Sequence, residues 1–234
     1  MTSSWDNVAE LRRKQIESNC DITFSSLFVP YFLNMISKYP HQNIFEIGCG
    51  TGHMAKAICE NLSPCSYTAV EPSKGMYSIA CDVNSQTKAI IINKSIFEYK
   101  DNCEYDIIFS HLCLHAIDDI EKLFSKVYNI TKNKGIFIFS IPHPCFYNEH
   151  KNIFNDFKYT KIQKTYFSLS ITNDHNKTSP IPYIHRPIEY YIKTLLLKKF
   201  HLIEFSEIFP KSEIMKLYRK KFDKPHYIAF ICQK

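Results

Sequence analysis

The sequence predicts a doubly wound α/β domain built on a mostly parallel, seven-stranded sheet, and three observations carry that expectation. Short apolar runs without strict alternation, such as Tyr105-Asp106-Ile107-Ile108-Phe109, suit strands covered by helices on both faces. They alternate with segments of helical period, at a spacing that implies right-handed crossovers. A glycine-rich turn, Glu46-Ile47-Gly48-Cys49-Gly50-Thr51-Gly52, sits between the first strand and the helix after it.

Taken in order, an amphipathic segment over 5–19 leads through Asp21 to a second over 24–38, where Phe28, Phe32, Leu33 and Ile36 recur at near-helical spacing. Residues 1–40 therefore read as an N-terminal helical cover. A strand at 44–47 is halted by glycines, and a helix at 53–61 packs through Met54, Ala57 and Ile58. Further strands are expected at 66–71, 89–92, 105–110, 134–141, 201–208 and 226–232, and helices at 73–82, 119–131 and 187–199. All fall within one domain, residues 1–234.

Residues 142–184 break the rhythm, because connections between elements normally run to a few residues. The stretch is rich in aromatic side chains, among them Phe146, Tyr147, Tyr166 and Tyr183, too much apolar surface for a free linker. It reads as a lid insertion on the substrate side, over the carboxyl ends of the strands where open α/β sheets bind ligands.

Composition excludes several classes. No stretch approaches the eighteen or more apolar residues of a membrane span, and the first residues lack a signal-peptide pattern, so a cytoplasmic protein without membrane association is expected. The nine cysteines are scattered and odd in number, which suits buried thiols in a reducing compartment. His111, Cys113 and His115 lack structural-zinc spacing, and no metal is expected. Net charge is +6, with 16 basic against 7 acidic side chains after residue 150. That excess is spread through helices and loops, as on a solvated face.

Gly48, Gly50 and Gly52 stand between strand and helix, the context that gives a glycine pattern meaning. Small residues permit positive φ and close approach of the backbone to a ligand. Some twenty residues on, Tyr67-Thr68-Ala69-Val70-Glu71 is an apolar strand ending in a carboxylate that can accept hydrogen bonds from both hydroxyls of a ribose. Dinucleotide sites favour G-x-G-x-x-G, and no P-loop lysine follows the turn.

Glu46 to Gly52 followed by Glu71 resembles the class I S-adenosylmethionine-dependent methyltransferase family, with its Rossmann-like fold. The resemblance continues through Asp106 to His115, Gly135 to Ser140 and His185 to Tyr191, and includes Trp5-Asp6 and Asp21 to Pro30. It implies S-adenosyl-L-methionine as cofactor and S-adenosyl-L-homocysteine as product. Glu46, Gly48, Cys49, Gly50, Gly52, Glu71, Pro72, Met76, Ser95, Ile96, Ser110 and His111 are the implied cofactor-binding positions. Where the family commonly places an aspartate against the adenine, this chain has Asn93-Lys94-Ser95-Ile96-Phe97, so Ser95 and Ile96 are expected there instead.

Methyl transfer needs an acceptor held in line with the methyl group, and a general base helps when the acceptor carries a proton of high pKa. His143 and His115 are the catalytic candidates. The prolines of Ile141-Pro142-His143-Pro144 direct His143 out of the fifth strand, although a histidine merely packed and hydrogen-bonded under the cover is the commoner case. Tyr31, His143, Phe146, Tyr183, His185 and Arg186 are the substrate-binding candidates, with Arg186 suited to a carboxylate or phosphate, or to anchoring the lid. The expected activity is methylation of an oxygen or nitrogen of a small molecule by a monomer or homodimer. The alternatives are methylation of RNA or another nucleic acid, and non-catalytic cofactor binding.

Overall fold

The computed structural model describes residues 2–100, 103–147, 165–172, 178–218 and 222–234. Its main sheet has seven strands in the order β3-β2-β1-β4-β5-β9-β8. These are β1 (Asn43–Ile47), β2 (Ser66–Val70), β3 (Ala89–Ile92), β4 (Tyr105–His111), β5 (Thr131–Pro142), β8 (His201–Ile208) and β9 (Tyr227–Gln233). The first five run parallel, while β9 is antiparallel to both β5 and β8. The mostly parallel, seven-stranded expectation holds. β1 lies between β2 and β4, so chain order reverses there, and the carboxyl ends of β1 and β4 flank the position at which open sheets of this kind form a ligand crevice.

Two apolar layers sandwich the sheet. On one face Phe45, Ile108, Phe137, Phe139 and Phe230 meet α6 (Ile120–Ile130) and α7 (Ile188–Leu197). The period is visible in α6, whose Ile120, Leu123, Phe124, Val127 and Ile130 are buried. Asp119 caps it, accepting from the Lys122 amide at 2.9 Å. On the other face Ile44, Tyr67, Phe109 and Ile138 pack on α3 (Val29–Ser37) and α4 (His53–Leu62). Each such fully buried side chain contributes about 1.5–3 kcal/mol relative to exposure.

Several boundaries depart from the sequence reading. The segment 5–19 is two helices, α1 (Thr2–Asp6) and α2 (Ala9–Glu17). The break places Asp6 against α5 (Lys74–Val83), where its carboxylate accepts from Ser73 Oγ at 2.6 Å and the Gly75 amide at 2.9 Å. The segment 24–38 opens as a π-helix over Thr23–Phe28 before α3. Pro30 supplies no N–H, and the turn before it widens. Within residues 142–184, expected as a lid insertion with no strand assigned, β6 (Thr165–Thr172) pairs antiparallel with β7 (Thr178–His185). Alternation in Tyr166-Phe167-Ser168-Leu169-Ser170-Ile171 was the overlooked signal. A short helix, α8 (Ser212–Met215), was also not expected.

Candidate functional site

Ile47 and Val70 are register partners, so β1 and β2 end side by side and the glycine turn lies against Glu71. The Gly48 amide donates to the Val70 carbonyl at 2.9 Å. Glu71 then ties two turns together, its carboxylate accepting from the Gly50 amide at 2.8 Å and the Ser73 amide at 2.9 Å. Asn93, just after β3, steadies it by donating to the Glu71 carbonyl at 2.8 Å.

All three glycines have positive φ, at 70°, 56° and 75° for Gly48, Gly50 and Gly52. Their surroundings differ. A Cβ on Gly48 would lie 2.3 Å from Cys113 Sγ, and one on Gly52 2.9 Å from Ala80 Cβ, so both are needed for internal packing. A Cβ on Gly50 would meet nothing within 4 Å, which marks open space above the middle of the turn.

Glu46 and Glu71 are both buried, and neither forms an ion pair with a cation among the described residues. The Tyr67 hydroxyl donates to Glu46 at 2.6 Å. Burial raises Glu46 to about 8, with Tyr67 opposing the rise and the Glu71 charge adding to it. Burial also raises Glu71, against the lowering by the Ser73 and Gly50 amides. Two buried carboxyl groups without a cation, one of which keeps its proton near neutrality until a positive charge arrives, suit a ligand that carries positive charge and ribose hydroxyls. S-adenosylmethionine, a sulfonium with an ammonium group, fits this set.

The remaining cofactor candidates surround that turn. Cys49 is buried beneath it and burial raises its thiol well above the usual range. Pro72 is exposed, and Met76 is buried in the first turn of α5 against Val8 and Ala9. Ile96 is buried, whereas the Ser95 hydroxyl donates to Glu98 at 2.7 Å and so closes its own turn. Ser110 donates to the Ile47 carbonyl at 2.9 Å, bonding β4 to β1 below the crevice. His111 bonds Ser140 Oγ through Nδ1 at 3.0 Å and packs 4.2 Å from the Phe28 ring, and burial lowers it to about 3.

The substrate candidates do not form one group. His115 follows β4 in a 3-10 turn, with its ring 5.4 Å from Tyr183, and Tyr183 stacks 6.1 Å from Tyr147. Tyr147 continues to Tyr227 at 5.8 Å, and Tyr227 to Phe28 at 4.8 Å. These rings link the segment after β4 to the N-terminal cover. Arg12 and Asp21 form an ion pair at 2.5 Å in that cover, beside Phe24. His185 and Arg186 are buried at the end of β7. The Arg186 guanidinium donates to the carbonyls of Ile117 at 2.6 Å and Asp118 at 2.9 Å.

His143, Phe146 and Tyr31 lie elsewhere. His143 Nδ1 accepts from the Cys145 amide at 3.1 Å, so Nε2 carries the proton and donates to Glu207 at 3.2 Å. Both ring nitrogens are thus engaged, Nδ1 within its own segment and Nε2 toward β8. Phe146 packs 4.6 Å from that ring. Tyr31 turns toward Glu204 and Ser206 of β8, and Phe24, Phe28 and Phe32 present their rings to His111 instead. The side chain of Tyr166 lies outside the described residues. Phe28 and Tyr227 had no sequence signal beyond ordinary core spacing.

Comparison with known proteins agrees with this geometry. A family described as a methyltransferase domain matches residues 45–137, the stretch from β1 into β5. A malonyl-[acyl-carrier protein] O-methyltransferase of Priestia megaterium is 25% identical over 154 residues, covering 62% of this chain and 56% of that protein. Phosphoethanolamine N-methyltransferase 2 of Caenorhabditis elegans is 30% identical over 101 residues, covering 41% of this chain and 23% of that protein. The chain therefore spans about half the length of the first relative and less of the second. An S-adenosylmethionine-dependent methyltransferase from Clostridium acetobutylicum superposes with a TM-score of 0.67 at 20% identity, over 98% of both chains. The DhpI-SAM-HEP complex superposes with a TM-score of 0.65 at 13% identity, over 99% of this chain and 95% of that one. At these identities the structures speak for the fold.

Proposed function

We propose that this chain, whose residues 45–137 match a methyltransferase domain, is a class I S-adenosylmethionine-dependent methyltransferase that transfers a methyl group from that cofactor to an oxygen or nitrogen of a small molecule. The carrying observation is the bond between Glu71 and Gly50, which holds the ribose-side carboxylate against a glycine turn with open space above it. Glu71 and the turn would hold the nucleoside, and Glu46 the cationic methionine end. The cofactor, when bound, supplies an electrophilic methyl group on sulfur.

What remains for the protein is orientation and exclusion of water. The ring series from His115 through Tyr183, Tyr147 and Tyr227 to Phe28 supports an acceptor enclosed between the segment after β4 and the N-terminal cover. His115 is lowered to about 3, so it is neutral near pH 7 and meets the acceptor as a hydrogen-bonding group. The described parts of 142–184, which include the end of β5 and the pair β6–β7, belong in this reading to the lid of a single domain, while residues 148–164 and 173–177 lie outside the described residues. Both an O- and an N-methyltransferase are among the relatives, and either acceptor atom suits such a pocket.

Calorimetric titration with S-adenosylhomocysteine tests the reading. Saturable one-to-one binding is expected; the absence of both heat and a thermal shift at saturating concentration would overturn it.

A further inference from the structure

Arg186 is 1% exposed, one of the largest fully buried side chains. A buried guanidinium is costly unless a counter-charge and hydrogen bonds compensate it. Here no acidic side chain among the described residues lies within ion-pair distance of it. Nη2 is satisfied by the carbonyls of Ile117 and Asp118, but Nε and Nη1 are buried without a hydrogen-bond partner. Anchoring the loop after β4 therefore uses only part of this side chain.

A second unpartnered atom lies nearby. His115 Nδ1 is also buried without a partner, two residues before the Ile117 carbonyl that Arg186 binds, and its ring lies 5.4 Å from that of Tyr183. A neutral imidazole can present an N–H at Nδ1. Two donors without acceptors, one of them cationic, thus share the neighbourhood where β7 rejoins the core beside the ring series.

We propose that Arg186 and His115 form a subsite for an oxyanion, a carboxylate or a phosphate, carried by the acceptor molecule. This rests on the methyltransferase reading and narrows its substrate class to anionic small molecules. The oxyanion supplies the charge that Arg186 lacks, and the fixed guanidinium plane orients the acceptor. Arg186 acts here in binding and orientation, with no part in bond making.

The test uses the whole chain saturated with S-adenosylhomocysteine and labelled with 15N-arginine. Sodium malonate and inorganic phosphate are the probes, with choline chloride at matched ionic strength as control. The Nε signal of Arg186, assigned with Arg186→Lys, should move saturably with malonate for a carboxylate acceptor, or with phosphate for a phosphorylated one, and not with choline. Arg186→Gln should weaken anion binding about tenfold to a hundredfold, the loss of a charge-assisted hydrogen bond, with affinity for S-adenosylhomocysteine retained. If Arg186→Gln does not fold, His115→Phe serves, since it keeps the ring against Tyr183 and removes Nδ1. Normal product binding with no response to either anion would overturn the subsite alone. Failure of product binding would overturn the methyltransferase reading and the subsite with it.

Discussion

The Glu71 carboxylate accepts a hydrogen bond from the Gly50 amide at 2.8 Å, across 21 residues of sequence. The bond sets the height of the turn over β2 and leaves the carboxylate held from below. Glu71→Ala should weaken S-adenosylhomocysteine binding by about 1.5–3 kcal/mol for each charge-assisted hydrogen bond lost. Calorimetry measures this; unchanged affinity would show that the ribose lies elsewhere.

Gly50 and Gly52 should fail in different ways. Gly52→Ala forces a Cβ to 2.9 Å from Ala80 Cβ at a φ of 75°, so thermal unfolding should reveal the larger loss of stability. Gly50→Ala meets open space and incurs only the left-handed backbone penalty of about 1–2 kcal/mol. Its larger effect should be on cofactor affinity, because the new methyl occupies the space above the turn. Equal stability losses with equal affinities would contradict this division.

Glu46 has a pH signature. Its folded value of about 8 lies above the ordinary 4.5, so the folded state binds the extra proton between those values. Its contribution to stability is fully present below about pH 4.5 and is lost as pH rises through about 8. The buried His111 and His115, both lowered to about 3, act oppositely, losing stability as pH falls below about 6.5. The comparison to make is unfolding of the cofactor-free protein against Glu46→Gln. The wild type should lose stability relative to the variant between pH 5 and 8, by about 1.4 kcal/mol per pH unit at most. A constant difference would assign Glu46 an ordinary pKa.

His143→Ala should act on stability. The substitution leaves the Cys145 amide without its acceptor and empties a buried ring volume, together worth about 1–3 kcal/mol. Affinity for S-adenosylhomocysteine should persist. A variant with unaltered melting temperature but no transfer would return His143 to the chemistry.

The sheet was readable because each parallel strand is built around a short apolar run and the helices between them keep a 3.6-residue period. The glycine turn was readable because Gly48 and Gly52 answer steric demands that leave a mark in sequence. The hairpin β6–β7 escaped because aromatic and asparagine content masked a two-residue alternation. The acceptor side was harder. His143 and Arg186 both follow strands that end near the site, but the direction of a side chain there depends on Cys145, Glu207, Ile117 and Asp118. No spacing rule joins residues 64 or 69 positions apart.

Asp6 reaches from α1 to Ser73 and Gly75, at the start of the helix that follows Glu71. The N-terminal cover and the ribose-side turn thereby share one set of hydrogen bonds, and their free energies are linked in both directions. Whatever tightens the turn also slows the opening of the first helices. The helix α1 thus reports, through its rate of amide exchange or proteolytic nicking, on the state of a turn almost seventy residues away.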